Sequence, residues 1–418
     1  MAFSRRARRL GRYLRSERRT LTQGFVALFI SSGGDLLAGL ALVSMSNDLG
    51  SLPGLLVLIP AAIGMRGNIF GSLGSRLGTG INAGQFEPNL RKGGFLRRNA
   101  ESSWYLTLAT CLFLGLAAHV VALVVKNPTI TPGNILSWAD FVTISIMGGV
   151  LGSVVVGAAT VGVSMLSHEK RWDLDSVSAP IVTAIGDIAT LPALWVAARF
   201  IHHLPRLAPW FAAVAAAFCL IETARGIASK DPMVGRIVRE STVVLFVAGT
   251  IDLVAGSVLE GRVAPLRALP ALLILVPPFL EDTNALSGIL SSRISSKLHL
   301  GVIEPRPIPQ LLAWVDIAIN FVFAASVFFM VGFSANLVAV VTHTLGPGLL
   351  TMLEISLLAG FLATVISCAV AYYSAIATFR FGWDPDNFAI PISSAVMDLA
   401  GTLCLVLVIL LLGVNAHG

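Results

Sequence analysis

Long apolar runs, separated by short polar stretches, recur from one end of this chain to the other. Each run extends about 20 residues or more, long enough to cross the ~30 Å hydrocarbon layer of a bilayer as a helix. Eleven spans are predicted, at about 22–47, 53–82, 102–126, 138–166, 177–201, 208–228, 241–260, 270–296, 311–333, 350–378 and 388–414. The short alternating pattern of an outer-membrane barrel is absent from the sequence. The expected fold class is an all-α polytopic membrane protein.

Composition agrees with the pattern. Of the 418 residues 55% are hydrophobic and only 12% charged, against roughly 25% charged in a soluble chain. So little charge cannot cover a soluble surface, and lipid is expected to face much of the protein. The formal net charge of +6 does not point to nucleic acid, because the basic residues gather in short loops beside the apolar runs. Loops after the even-numbered spans hold Arg91, Lys92, Arg97 and Arg98, then Lys170 and Arg171, then Lys230, Arg236 and Arg239. Outer loops are poorer, with Arg206, Arg262 and Arg267 as the main exceptions. This bias predicts a cell-membrane protein with a cytoplasmic N-terminus and an external C-terminus. The basic stretch 1–21 reads as a cytoplasmic tail that fixes orientation or rests on anionic lipid. The apolar run behind it is too long for a signal-peptide core and contains Asp35, so it reads as a retained helix. Cys111, Cys219, Cys368 and Cys404 lie far apart in apolar stretches and read as small packing residues.

The chain repeats itself. At an offset of 217, Asp35 meets Asp252, Gly39 meets Gly256, Pro53 meets Pro270 and Pro60 meets Pro277. Ser75-Arg76 then meets Ser292-Arg293, and Glu87-Pro88 meets Glu304-Pro305. At an offset of 211, Trp172-Asp173 meets Trp383-Asp384, Pro180 meets Pro391 and Asp187 meets Asp398. Ordered acids, prolines and tryptophans are not shared by chance between generic apolar helices. The predicted organisation is a tail at 1–21, a first repeat at 22–205, a linking helix and loop at 206–240, and a second repeat at 241–418. An odd number of spans per repeat, with one linking span, puts the two repeats in parallel. The chain is then an internal pseudo-dimer about an axis along the membrane normal, able to work as a monomer.

Acids inside the spans are the candidate chemistry, because a carboxylate near the bilayer centre is costly and normally faces the bundle interior or water. Asp187 and Asp398 each lie about ten residues, roughly 15 Å, into their spans, near the midplane. On a pseudo-twofold axis they would form a carboxylate pair, which repels unless a cation lies between or one group is protonated. A divalent cation is the simplest partner, since Mg²⁺ takes oxygen ligands and keeps several waters. The competing reading is a pair neutralised by a buried arginine or protonated for structural reasons. Gly186, Thr183 and Thr190 on one side, and Gly401 and Thr402 on the other, would allow close approach. Asp35 and Asp252 form a second midspan pair, which lines the pathway or only packs the bundle.

The stretch from Pro60 to Gly84 is rich in Gly, Ser and Asn and is expected to be broken or to line a water-filled route. Asn68 and Asn82 offer neutral oxygens there, and Arg66 is a candidate partner for Asp35. The equivalent stretch of the second repeat carries Glu281, Asp282 and Asn284 instead. Either these acids charge one side of the pathway or they bridge to Arg66 across the axis. No phosphate-binding loop, nucleophile elbow or HExxH motif is present, so an ion gradient or the membrane potential is the expected driving force.

Gly64-Met65-Arg66-Gly67-Asn68, Ser75 to Thr79 and Asn82-Ala83-Gly84 resemble a stretch of the solute carrier family 41 proteins. Asp173 to Pro180 with Asp187, and Asp384 to Pro391 with Asp398, resemble the last span of the MgtE magnesium-channel membrane domain. The resemblance implies two tandem MgtE-like domains and transport of Mg²⁺ or a similar divalent cation, bound by Asp187 and Asp398, with Na⁺ a candidate coupling ion. It carries over no cytoplasmic magnesium-sensing region. Two other readings remain open: a proton- or sodium-coupled carrier of another solute, and an intramembrane enzyme using an aspartyl dyad.

Overall fold

The computed structural model describes residues 28–124, 135–170, 174–382 and 390–414, without the side chains of Asn47, Asn82, Lys170 and residues 174–181. Among the described residues every regular element is helical. In chain order they are α1 (Leu28–Ser44), α2 (Ser46–Ser51), α3 (Leu55–Asn82), α4 (Phe95–Val124), α5 (Trp138–Lys170) and α6 (Leu174–His203). There follow α7 (Ala208–Ile227), α8 (Pro232–Glu260), α9 (Val263–Ala268), α10 (Ala271–His299), α11 (Leu311–Val341), α12 (Leu349–Phe381) and α13 (Ile390–Leu411).

Eleven of these are long helices at the predicted places. Nine are long and apolar enough to cross a membrane among the described residues. Of the other two, α1 is 17 residues long within the described range, and α10 carries Glu281, Asp282, Arg293 and Lys297. Most of α10 is nevertheless buried, as is α3, and this burial explains how so polar a pair of helices stands inside the bundle. The predicted break in the Pro60–Gly84 stretch does not occur. α3 runs unbroken with Pro60 inside it, sheltered by neighbouring helices rather than unwound. His202 and His203 close the last turn of α6.

The two halves pack alike. In the first, α3 contacts α4, α5 and α6, α4 contacts α5, and α5 contacts α6. In the second, α10 contacts α11, α12 and α13, α11 contacts α12, and α12 contacts α13. The short helices α2 and α9, unforeseen in the sequence, begin at residues 46 and 263 and pack against each other.

The first helix of each half crosses to the other half. α8 packs on α3 and on α13. α1 packs on α10 and on α6: a Cβ at Gly39 would come within 2.8 Å of Ile274 Cα and closer still to its carbonyl oxygen, and one at Gly34 within 2.8 Å of Ala184 Cβ. The reciprocal contact joins Gly256 to the backbone of Leu56 and Val57, with 2.8 Å to the Leu56 oxygen and less to that of Val57. Gly39 and Gly256, like Val57 and Ile274, are 217 apart, so one backbone-to-backbone crossing is built twice. The N-terminus of α3 is capped from the other half. Gly54 N and Leu56 N donate to Glu260 Oε1 and Oε2 at 3.0 and 3.1 Å. Linking helix α7 lies at the periphery against α4 and α5.

Candidate cation site

Where the helices of both halves meet, one cavity is lined by residues in equivalent pairs. Ile59 and Val276, Pro60 and Pro277, Ile63 and Leu280, and Asp187 and Asp398 all face it. The first three pairs are 217 apart and the last 211. Only Leu42 and Glu281 line it without an equivalent. Its wall is mostly apolar, and its charge comes from three carboxyl groups.

Each aspartate of the fifth helix has a partner on the first helix of the same half. Asp35 on α1 stands within hydrogen-bonding reach of Asp187 on α6. Asp252 on α8 stands in the same relation to Asp398 on α13. All four are at most 5% exposed. Among the described residues, both oxygens of Asp35, both of Asp252 and Oδ2 of Asp187 meet no hydrogen-bond donor. Asp187 and Asp398 share the cavity, and each has a first-helix aspartate of its own half beside it. The expected single pair on the axis is two pairs flanking it. Two ionised carboxylates at such range repel, so each pair calls for a proton or a cation.

The remaining candidates separate by their surroundings. Asn284 Nδ2 donates to Asp398 Oδ1 at 2.8 Å. Asn68 Oδ1 accepts from Ser394 Oγ at 3.2 Å, and its Nδ2 is buried without a partner. Asp282 turns from the cavity: Ser32 Oγ lies 2.8 and 3.0 Å from its two oxygens. Arg66 pairs with neither Asp35 nor Asp282 nor Glu281. It donates to the carbonyls of Ala62 and Gly148, and it lies along α5 at Gly149 and Gly152, where there is no side chain in its way. The expected close approach holds at Gly401, where a Cβ would meet Leu280 Cδ2 at 3.1 Å, and fails at Gly186, which has nothing within 4 Å of that position. Thr190 spends its hydroxyl on the Gly186 carbonyl at 2.6 Å, inside its own helix. The acids read at 173, 175, 384 and 386, the side chain of Asn82 and the basic tail lie outside what the structure describes.

Three participants went unread in the sequence. Ser32 holds Asp282. Glu260 caps α3. Gly64 lets the second acidic pair come close, since a Cβ there would lie 2.9 Å from Asp252 Oδ2 and 3.3 Å from Asp398 Oδ2. The repeat offset contained a signal for Gly64, because Glu281 stands at its equivalent position.

Among the described residues no three His, Cys, Asp or Glu groups form a ready-made metal cluster. The acids come in pairs around a cavity, an arrangement suited to a cation that keeps part of its water shell and is released again. An all-helical, multi-pass membrane protein with buried carboxyl pairs between two like halves is the class that fold and site define. The family model of the MgtE divalent cation transporters matches it twice, at residues 59–197 and 276–408, and the chain belongs to that family. The two matches start 217 residues apart and end 211 apart, the same two offsets the repeats show.

The chain is also similar to curated relatives. It is 24% identical over 371 residues to "Solute carrier family 41 member 2" of Mus musculus, covering 84% of this chain and 63% of that protein. It is 23% identical over 397 residues to the protein of that name from Gallus gallus, covering 91% and 68%. It is 25% identical over 418 residues to "Solute carrier family 41 member 3" of Rattus norvegicus, covering 94% and 87%. No solved structure matches the chain.

Proposed function

We propose that the protein moves Mg²⁺, or a divalent cation of similar size, through the cavity between the two halves, with Asp187 and Asp398 as the ion-facing carboxylates. The observation that carries this reading is the lining of one cavity by equivalent residues of both halves, acids included. Asp35 and Asp252 stand behind the two aspartates and raise the negative charge of the site. Asn284 orients Asp398 through its amide N–H, and Asn68, further along α3, offers a neutral oxygen. Mg²⁺ dehydrates reluctantly, so two carboxylates and retained water make a sufficient and reversible site. The apolar rim of Ile59, Ile63, Val276 and Leu280 gives the route a place to close by dewetting.

The organisation proposed with it is a first repeat at 22–205, a linker at 206–240 and a second repeat at 241–418. The N-terminus is cytoplasmic, from the distribution of Lys and Arg. The two halves supply both sides of the site, so one chain suffices. The test is Mg²⁺ flux into proteoliposomes carrying an internal magnesium dye, comparing wild type with Asp187→Asn and Asp398→Asn. Flux lost in both variants, with unchanged melting in detergent, supports the site. Flux unchanged in both overturns it. Repeating the wild-type measurement with and without a sodium gradient decides whether sodium is coupled.

A further inference from the structure

The two halves carry equivalent acids but do not present them to equivalent neighbours. The Asp252–Asp398 pair faces Gly64 of α3. The position equivalent to Gly64 in α10 is Glu281. Glu281 lines the cavity with Asp187 and Asp398 and bears electrostatically on Asp35 and on both of these. No hydrogen bond or ion pair to a described residue holds its carboxylate, and Arg66, the partner the sequence offered for it, donates to the carbonyls of Ala62 and Gly148 instead. The neighbouring Asp282 is held by Ser32 and does not line the cavity.

From this geometry we infer that Glu281 is a third ion-facing carboxylate, and that it determines how tightly a divalent cation is held. The inference rests on the cation-transport reading of the cavity. Asp187 lines the same space, and its buried Oδ2 meets no donor among the described residues, so a cation in the cavity has both Asp187 and Glu281 within its surroundings. Affinity at oxygen sites for hard cations is tuned by the number of charged ligands. A site with Asp187, Asp398 and Glu281 outweighs a symmetric two-carboxylate site in charge, and favours a divalent over a monovalent ion. The asymmetry is enforced sterically. A glutamate at position 64 would drive its Cβ into Asp252, whereas α10 leaves room for the side chain.

The experiment is Mg²⁺ flux into proteoliposomes as a function of Mg²⁺ concentration, with and without competing Na⁺, for wild type, Glu281→Gln and Glu281→Gly. Mg²⁺ binding to the same proteins in detergent is measured by titration calorimetry. The glycine variant reproduces the residue the first half already tolerates, so a folded protein is expected. Loss of one charged ligand is expected to raise the half-saturating Mg²⁺ concentration and the dissociation constant by about tenfold. The maximal rate should be largely kept and inhibition by Na⁺ strengthened. Values within twofold of wild type in both variants, while Asp187→Asn and Asp398→Asn abolish flux, overturn the role of Glu281 alone. Full flux in the two aspartate variants overturns the site itself, and the inference with it.

Discussion

Gly64 and Asp252 touch across the boundary between the two halves, the glycine's missing Cβ leaving the space that the aspartate's Oδ2 occupies at 2.9 Å. Helix α3 of the first half and helix α8 of the second meet here, and Asp398 closes the same corner. The contact ties a backbone requirement directly to the placement of the acids.

Gly64→Ala therefore tests the corner with one methyl group. The added carbon must displace the carboxylates of Asp252 and Asp398, and displacement costs less than unfolding because side chains can shift. Mg²⁺ flux is expected to fall by about tenfold or more, equivalent to roughly 1.4 kcal/mol at the transport barrier. Thermal melting in detergent should move little. Gly67→Ala is the control, since nothing lies within 4 Å of its added carbon. Equal flux in the two variants would remove Gly64 from the site.

The twin crossings predict a stability effect instead. Gly39 lies on the Ile274 backbone and Gly256 on that of Leu56 and Val57, where no side chain can yield. Gly39→Ala and Gly256→Ala are each expected to cost about 1–3 kcal/mol, the usual range for overpacking. Because the contacts are equivalent, the two losses should agree within experimental scatter. Unfolding in denaturant or by heat would show it. A large loss at one position with none at the other would mean that the two halves do not pack alike.

How far such features were legible follows from their range along the chain. Apolar runs placed the long helices, because burial or lipid contact demands them wherever they lie. The repeat offset identified Gly39 with Gly256 and Asp187 with Asp398 before any contact was known. The six-residue helices α2 and α9 fall in the short gaps between predicted spans, too brief to show a helical period of their own. The start of α8 was placed nine residues late, although Asp231-Pro232 is a helix-start signal and Asp231 accepts from Met233 N and Val234 N. What no local pattern carries is which helices cross. The crossing of α1 onto α10 decides that Ser32 meets Asp282, and the packing of α3 on α5 decides that Arg66 reaches Gly148 and not an acid.

The halves also differ where α3 meets α4 and α10 meets α11. Arg293 and Lys297 both pair with the fully buried carboxylate of Asp316, Arg293 Nη2 at 2.9 Å. The equivalent pair in the first half is neutral on one side, Arg76 Nε donating to Asn99 Oδ1 at 2.9 Å. Asp316→Asn takes the charged carboxylate away from both cations. Asp316→Asn is expected to cost about 3–5 kcal/mol, somewhat less if water reaches Arg293. Asn99→Ala should cost about 1 kcal/mol. Asn99→Asp should be tolerated, since it recreates what the second half already holds. Calorimetric melts of the three variants check the order, and equal losses at positions 316 and 99 would contradict it.

The Ser32–Asp282 contact has a counterpart that shows how it can be dispensed with. Ser32 Oγ stands 2.8 Å from Asp282 Oδ2 and 2.8 Å from the Leu28 carbonyl, so its one proton serves a buried carboxylate or its own helix. The repeat-equivalent positions are Gly249 on α8 and Met65 on α3, an apolar contact in which a Cβ on the glycine would sit 3.6 Å from the methionine sulfur. Ser32→Ala strips Asp282 of its donor and is expected to destabilise by about 1–3 kcal/mol. Replacing both sides together, Ser32→Gly with Asp282→Met, installs the pairing of the equivalent contact and should recover most of that loss. The coupling expected from a double-mutant cycle is about 0.5–3 kcal/mol. The same double variant separates structure from transport at this position. Asp282 does not line the cavity, so Mg²⁺ flux should persist when it becomes methionine, whereas flux lost in a stably folded double variant would place Asp282 among the groups that the ion meets.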